Sequence, residues 1–273
     1  MNIFVSNILA SYLQQGSITC LYYAMRLVQF PVGIFGVAMG MAVLPALSEH
    51  AARGQMDHLR QDFSYALRLL FFITVPAMAG LIALRGPIVN LLFVRGRFDE
   101  AAAAGTAQAL LCYAFGIWAV VGVRVVASTF YALQDTRTPV RVGAAAIAVN
   151  LALSLALMGP LAHAGLALAN ACASMVNFAT LFFLLRRRLG RLETGRIVRS
   201  LLRTAAAAAL MGLVGWLLLR GHLWEAGGRT ALKTALFSGT AVLCVAVYCG
   251  ASRLLGSEEL GTVLALARRR VNR

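Results

Sequence analysis

Two arginines stand inside apolar runs of the chain. Arg26 lies within LYYAMRLVQFPVGIFGVAMGMAVLPALS, residues 21–48, and Arg124 lies within the apolar stretch 105–133. A charge at membrane depth costs at least ~2.5 kcal/mol, and such residues face a bundle interior or a wet cavity, or snorkel to the nearer interface. Both readings are open for each arginine; in the first, Arg26 and Arg124 are substrate-binding residues for an anion. Pro31 follows Arg26 closely, removes a backbone donor and predicts a kink just beyond it. Gly33, Gly36 and Gly40 run down one side of the same helix as a smooth packing face, with Gly36-x-x-x-Gly40 spaced for close helix approach.

Other polar residues carry weaker signals. Asn150 and Ser154, and likewise Asn170 and Ser174, sit four apart on one helix face. Such pairs serve as helix–helix hydrogen bonds or as ligands for a small cation, and no carboxylate accompanies them. His50 and His58 lie in a polar segment without metal-like partner spacing, so a solvated face is expected. The five cysteines, Cys20, Cys112, Cys172, Cys244 and Cys249, are odd in number, have no CxxC spacing and fall in or near apolar helices, which points to packing. With no nucleophile constellation, metal cluster or phosphate loop, no cofactor is implied and an enzyme is not expected.

These residues must be positioned by membrane helices. The chain has 273 residues, 60% hydrophobic and only 13% charged, with a mean hydropathy of +0.77, against about 25% charged in soluble domains. A bilayer core of about 30 Å needs about 20 apolar residues per helix. Residues 1–14 are too short to span and read as the end of a truncated helix. Spans are expected at about 17–47, 66–84, 105–133, 139–159, 161–185, 200–219 and 230–255. Residues 48–66 read as a polar loop or surface helix, and the stretch 85–105 as holding a short helix that lies in the interface. Trp118 and Tyr131 are placed at the interface. GPLAHAG closes 139–185 into a hairpin, and the alanine run 205–209 offers a thin face for close packing. Residues 1–14 lack a basic n-region, so no cleavable signal peptide is expected.

The net charge is +15, from 24 arginines and Lys233 against 10 acids. Because the arginines lie between apolar segments, topology and anionic membrane lipid explain the charge better than nucleic acid does. With loop 48–68 on the cytoplasmic side and the spans alternating, 17 basic residues fall inside and 6 outside, the latter including Arg85, Arg220 and Lys233. The positive-inside rule then predicts a cytoplasmic C-terminus.

Gly16, Ser17, Leu21, Tyr22, Tyr23, Ala24, Arg26, Leu27, Pro31, Gly33, Gly36, Ala38, Pro45, Leu47 and Ser48 resemble the signature of the MurJ (MviN) family of lipid II flippases in the MOP exporter superfamily. The run FYALQDTRTPV at 130–140 resembles a second signature. There Asp135 is expected to accept backbone hydrogen bonds, Thr138 to cap the next helix and Pro139 to suit its first turn. Phe93, Gly96 and Phe98 echo a further element, and Arg124 fits a position commonly basic. One departure is Met25, where the family is often acidic; Arg26 then lacks an adjacent counter-ion and is freer to meet a phosphate.

The resemblance implies an all-α, polytopic membrane helix bundle of about seven transmembrane helices plus the N-terminal stub, equivalent to a MOP/MATE-like second lobe. Residues 1–190 would supply the lobe, and 191–273 two appended helices and a basic cytoplasmic tail. The implied activity is translocation of lipid II, the undecaprenyl-pyrophosphate-linked peptidoglycan precursor, from the inner to the outer face of the bacterial cytoplasmic membrane. The implied partners are lipid II, membrane lipids and a missing N-terminal lobe or a partner chain. Alternatives are export of another lipid-linked glycan by a MOP-superfamily transporter, and a truncated half-transporter with no transport of its own.

Overall fold

The computed structural model describes residues 8–94, 98–190, 192–221, 224 and 230–261, without the surroundings of 35–42 and 230. Among these, every regular element is helical. Residues 8–11 are helical, so what is described of the stub ends one turn before Gly16. Helix α1 (Ser17–Pro31) buries Leu21, Ala24 and Val28. Pro31 cannot donate to the ladder, and the chain continues as a π turn over Val32–Gly36 before α2 (Val37–Ala52) resumes. The kink expected after Arg26 is thus a widened helical turn.

The polar segment 48–66 is not a separate loop or surface helix. It divides between the end of α2 and the start of α3 (Met56–Ala83), with residues 53–55 as the turn. Gly54 takes a left-handed φ of 68° there, which ends α2 without crowding. Helix α4 (Arg85–Phe93) is short, as expected, but it does more than lie at an interface. Val89 is fully buried, and the rings of Tyr23, Phe93 and Phe98 meet at 4.6 and 5.4 Å from the tyrosine, tying α1 to the segment after α4. Gly96 and its arginine neighbours at 95 and 97 lie outside the described residues.

The expected span 105–133 is one apolar stretch, Glu100–Ala132, broken inside into α5 (Glu100–Ala114) and α6 (Ile117–Ala132). Asp99 opens α5 by accepting the Ala102 amide at 2.8 Å. The break falls at Gly116 because a neighbouring backbone passes there: an added Cβ would stand 2.8 Å from the Ala171 Cα. Trp118, expected at the interface, is half-buried among neighbouring rings. It sits edge-on to Phe71 and Phe178, at 6.0 and 5.4 Å, inside an aromatic cluster between helices.

Helix α7 (Arg137–Leu189) folds in two at Ala162, where φ is 47°. Straight, 53 residues would reach about 80 Å, yet Arg188 near its end is bonded at 2.6 Å to Asp135 just before its start. The arms 137–161 and 163–189 are therefore antiparallel, the hairpin expected from the sequence. The second arm runs parallel to α5 and α6, with His163 against Gly105, Ala171 against Gly116 and Phe178 against Gly122.

Helix α8 (Thr194–Leu219) packs along α3, and α9 (Thr230–Leu254) packs on α8. Small residues permit this: Ala207 and Ala208 are buried, and Gly212 faces Ala79 and Ala83. Tyr248 donates to the Phe72 carbonyl at 2.6 Å, fixing α9 to α3. Arg68 on α3 binds Glu258 and Glu259 just past α9, at 3.0 and 3.2 Å. Glu259 is buried and also accepts from Ser200 at 2.9 Å.

Five helical stretches among the described residues are long and apolar enough to cross a membrane. The longest is the hairpin, and the broken helix 17–52 accompanies them, in keeping with about seven crossings. The turns sort to two ends. Arg60 donates to the Leu189 carbonyl, Arg188 meets Asp135, and Arg203 donates to the Gly256 carbonyl at one end. At the other, Asn90 donates to the Trp224 carbonyl.

Candidate functional site

Arg26 lies on the exposed side of α1, opposite Leu21, Ala24 and Val28. Its Nη2 donates to the Tyr22 hydroxyl at 2.6 Å, and its guanidinium carbon stands 4.9 Å from the Tyr22 ring centroid. Tyr22 is one helical turn earlier, so the pair is local and costs no tertiary rearrangement. Tyr22 is 53% and Phe30 71% exposed. The result is a cation flanked by aromatic rings on a face that the described chain leaves uncovered. Among the described residues no carboxylate pairs with it, and its remaining donors meet no acceptor.

Arg124 is half-buried on α6 and has no hydrogen-bonding or ionic partner among the described residues. The helices carrying Arg26 and Arg124 share no extensive interface, so this chain does not bring the two together. Pro31 is buried at the end of α1. Gly33 is exposed, and an added Cβ there would meet nothing within 4 Å, so no described helix packs on it. The surroundings of Gly36 and Gly40 lie outside the described residues.

The turn after α6 is built as the sequence suggests, with one exchange of roles. Asp135 Oδ1 accepts the Thr138 amide at 3.0 Å, and Oδ2 accepts the Thr138 hydroxyl at 2.8 Å and Arg188 Nη1 at 2.6 Å. Thr138 is thus capped by Asp135 and does not itself cap α7: it already sits inside the first turn, beside the buried Pro139. These bonds, the Thr138 amide first, hold the Asp135 carboxyl below the ordinary aspartate value.

The asparagine–serine pairs do not bond across helices among the described residues. Ser174 donates to the Asn170 carbonyl on its own helix at 2.9 Å. Asn150 and Ser154 are buried with unpartnered side chains.

Sequence reasoning missed two polar junctions. Lys233, counted among the basic residues on the outer side, is buried in α9 and donates to Asn90 Oδ1 at 2.8 Å. Its signal was a lone lysine in the apolar run ALKTALF. The Arg68–Glu259 junction had a fainter one, two adjacent acids in an otherwise basic tail. Close helix approach was missed as well: it occurs at Gly116, Gly122 and Gly215, which carry no GxxxG spacing.

Residues 1–232 match the family described as "Lipid II flippase MurJ". The chain belongs to the MurJ family. It is 34% identical over 257 residues to the probable lipid II flippase MurJ of Vibrio cholerae, covering 94% of this chain and 49% of that protein. It is 31% identical to the one of Rhizobium tropici, covering 96% and 50%. Among solved structures, a lipid II flippase MurJ in an inward closed conformation superposes with a TM-score of 0.71 at 22% identity, over 93% of this chain and 51% of that one. A MOP superfamily transporter from Pyrococcus furiosus gives 0.60 at 15% identity, over 96% and 62%. These two likenesses establish the fold. The chain spans about half the length of the curated relatives it matches. As a MurJ-family chain with five long apolar helical stretches among its described residues, it is a multi-pass membrane protein.

Proposed function

We propose that this chain supplies the second half of a lipid II flippase in the bacterial cytoplasmic membrane, with Arg26 as a contact for the substrate pyrophosphate. The observation that carries this reading is the placement of Arg26: it stands on the uncovered face of α1, between exposed aromatic rings and without an acidic partner among the described residues. An arginine fork suits a pyrophosphate, and a headgroup that cannot cross hydrocarbon unaided needs such a surface. Residues 1–190 act as the lobe and α8 and α9 as the appended pair. Arg124 contributes a second cation once the first half encloses the cavity. Alternating access needs two lobes moving against each other, so this chain alone does not translocate lipid II. The positive charge distribution favours a cytoplasmic C-terminus.

The test fuses this chain to the first half of a full-length family member and asks for growth of a flippase-depleted strain. The fusion should restore growth, the fusion with Arg26→Ala should not while reaching the membrane in equal amount, and residues 1–273 alone should not. Normal growth with Arg26→Ala would refute the substrate contact. Outer-face exposure of lipid II by this chain without any partner would refute the need for a second lobe.

A further inference from the structure

A cavity of about 490 Å³ opens between α4, the start of α5 and the end of α8, and no residue of the helices that carry Arg26 and Arg124 lines it. Arg85 and Arg220 enter it from different helix ends, Trp216 and Trp224 wall it, and Ala103, Ala107 and Leu219 give it an apolar floor. Arg85 is half-buried and spends one donor on the Ile82 carbonyl at 2.8 Å. Its other donors have no partner among the described residues. Arg220 lies over the Trp216 ring, 5.0 Å from its centroid, and has no hydrogen-bonding partner there. Glu100 also lines the cavity but forms no ion pair with either arginine. Hydrogen bonds at Asn90 join the cavity walls. Asn90 accepts from buried Lys233 and donates to the Trp224 carbonyl at 2.6 Å, joining α4, α9 and the connection between α8 and α9.

We propose that this cavity binds the phosphate headgroup of an anionic phospholipid, with Arg85 and Arg220 on the phosphate and the alanine and leucine floor under the first acyl carbons. Among the described residues, two arginines with unspent donors in one cavity, against one carboxylate that pairs with neither, leave a positive surplus that a phosphodiester neutralises. Tryptophans are the side chains suited to the boundary between headgroup and hydrocarbon. The site lies where the appended pair meets α4, so a bound lipid would brace that junction. The inference rests on the chain being a membrane protein and is independent of what it transports.

The tryptophans report occupancy directly. Trp216 and Trp224 line the cavity, whereas Trp118 does not and packs against Phe71 and Phe178. The full 273-residue chain in non-ionic detergent is titrated with phosphatidylglycerol or phosphatidylcholine, both brominated on the upper acyl chain, and quenching of tryptophan emission is read. Phosphatidylglycerol should reach half-quenching at about 30-fold lower concentration, the selectivity expected from two arginines at a lipid surface. R85Q/R220Q should lose that preference and R85K/R220K retain much of it, while E100Q should tighten binding. Equal quenching by the two lipids in the unaltered chain overturns the proposal without any variant having to fold. Undiminished preference in R85Q/R220Q overturns it too. Displacement of phosphatidylglycerol by glycerol 3-phosphate at similar concentrations would assign the site to a soluble phosphate ester and overturn the lipid.

Discussion

Asp135 holds three groups at once: the Thr138 amide, the Thr138 hydroxyl and Arg188. Its side chain is 21% exposed and that of Arg188 44%, so solvent screens the ion pair. Asp135→Ala should lower stability by about 1–2 kcal/mol, most of it from the lost cap. Asp135→Asn keeps one acceptor and should cost less; chemical denaturation in detergent micelles measures both. The folded carboxyl is held below its ordinary value, so the folded state favours the ionised form. That contribution is full above the unfolded aspartate value, near about 4, and fades as pH falls through the lowered folded value. The difference in stability between the native chain and Asp135→Ala should therefore shrink on acidification below about pH 4. A difference that grows there would contradict the assignment. Thr138 shows the limit of reading caps from sequence: threonine before proline fits both a cap and a first-turn position, and only the place where α7 starts decides between them.

Among the elements, the hairpin and the broken helix make opposite demands on glycine. At Gly165 an added methyl would run into the Leu157 backbone carbonyl across the reversal, which cannot swing aside. At Gly33 it would meet nothing within 4 Å. Gly165→Ala should destabilise by roughly 1–3 kcal/mol or block folding, whereas Gly33→Ala should leave the thermal unfolding of this chain unchanged; equal effects would contradict the packing. Arg68 gives a second contrast. Arg68→Met leaves the buried Glu259 carboxylate with hydroxyl partners and no cation, and should cost about 3–5 kcal/mol, read as early proteolysis of α9. The spans, the hairpin and the proline break were legible because apolar length, GPLAHAG and Pro31 act locally. The break at Gly116, the aromatic packing of Trp118 and the burial of Lys233 were not. Each depends on what arrives from elsewhere in the chain: the Ala171 backbone, the Phe71 and Phe178 rings, and Asn90.

For the molecule as a whole, the turns gather at two ends, and the arginine distribution predicts which faces the cytoplasm. In a background lacking the native cysteines, Gly221→Cys should react with an impermeant maleimide added to intact cells and Gly195→Cys should not. The reverse pattern would invert the orientation. The uncovered face of α1 belongs to this scale too. Arg26 was visible in the sequence as a charge in an apolar run, but its surroundings were not, because the surface opposite it is not supplied by the described residues. The Asp135–Arg188 pair has one more consequence. It closes the far end of a hairpin whose near end is fixed at Ala162, so the two arms are measured against each other. One residue inserted into either arm would turn Arg188 by about 100° around its helix relative to Asp135 and unmake the seal. Length changes here should be tolerated only as matched insertions in both arms, and the hairpin should resist insertions and deletions that single substitutions along it survive.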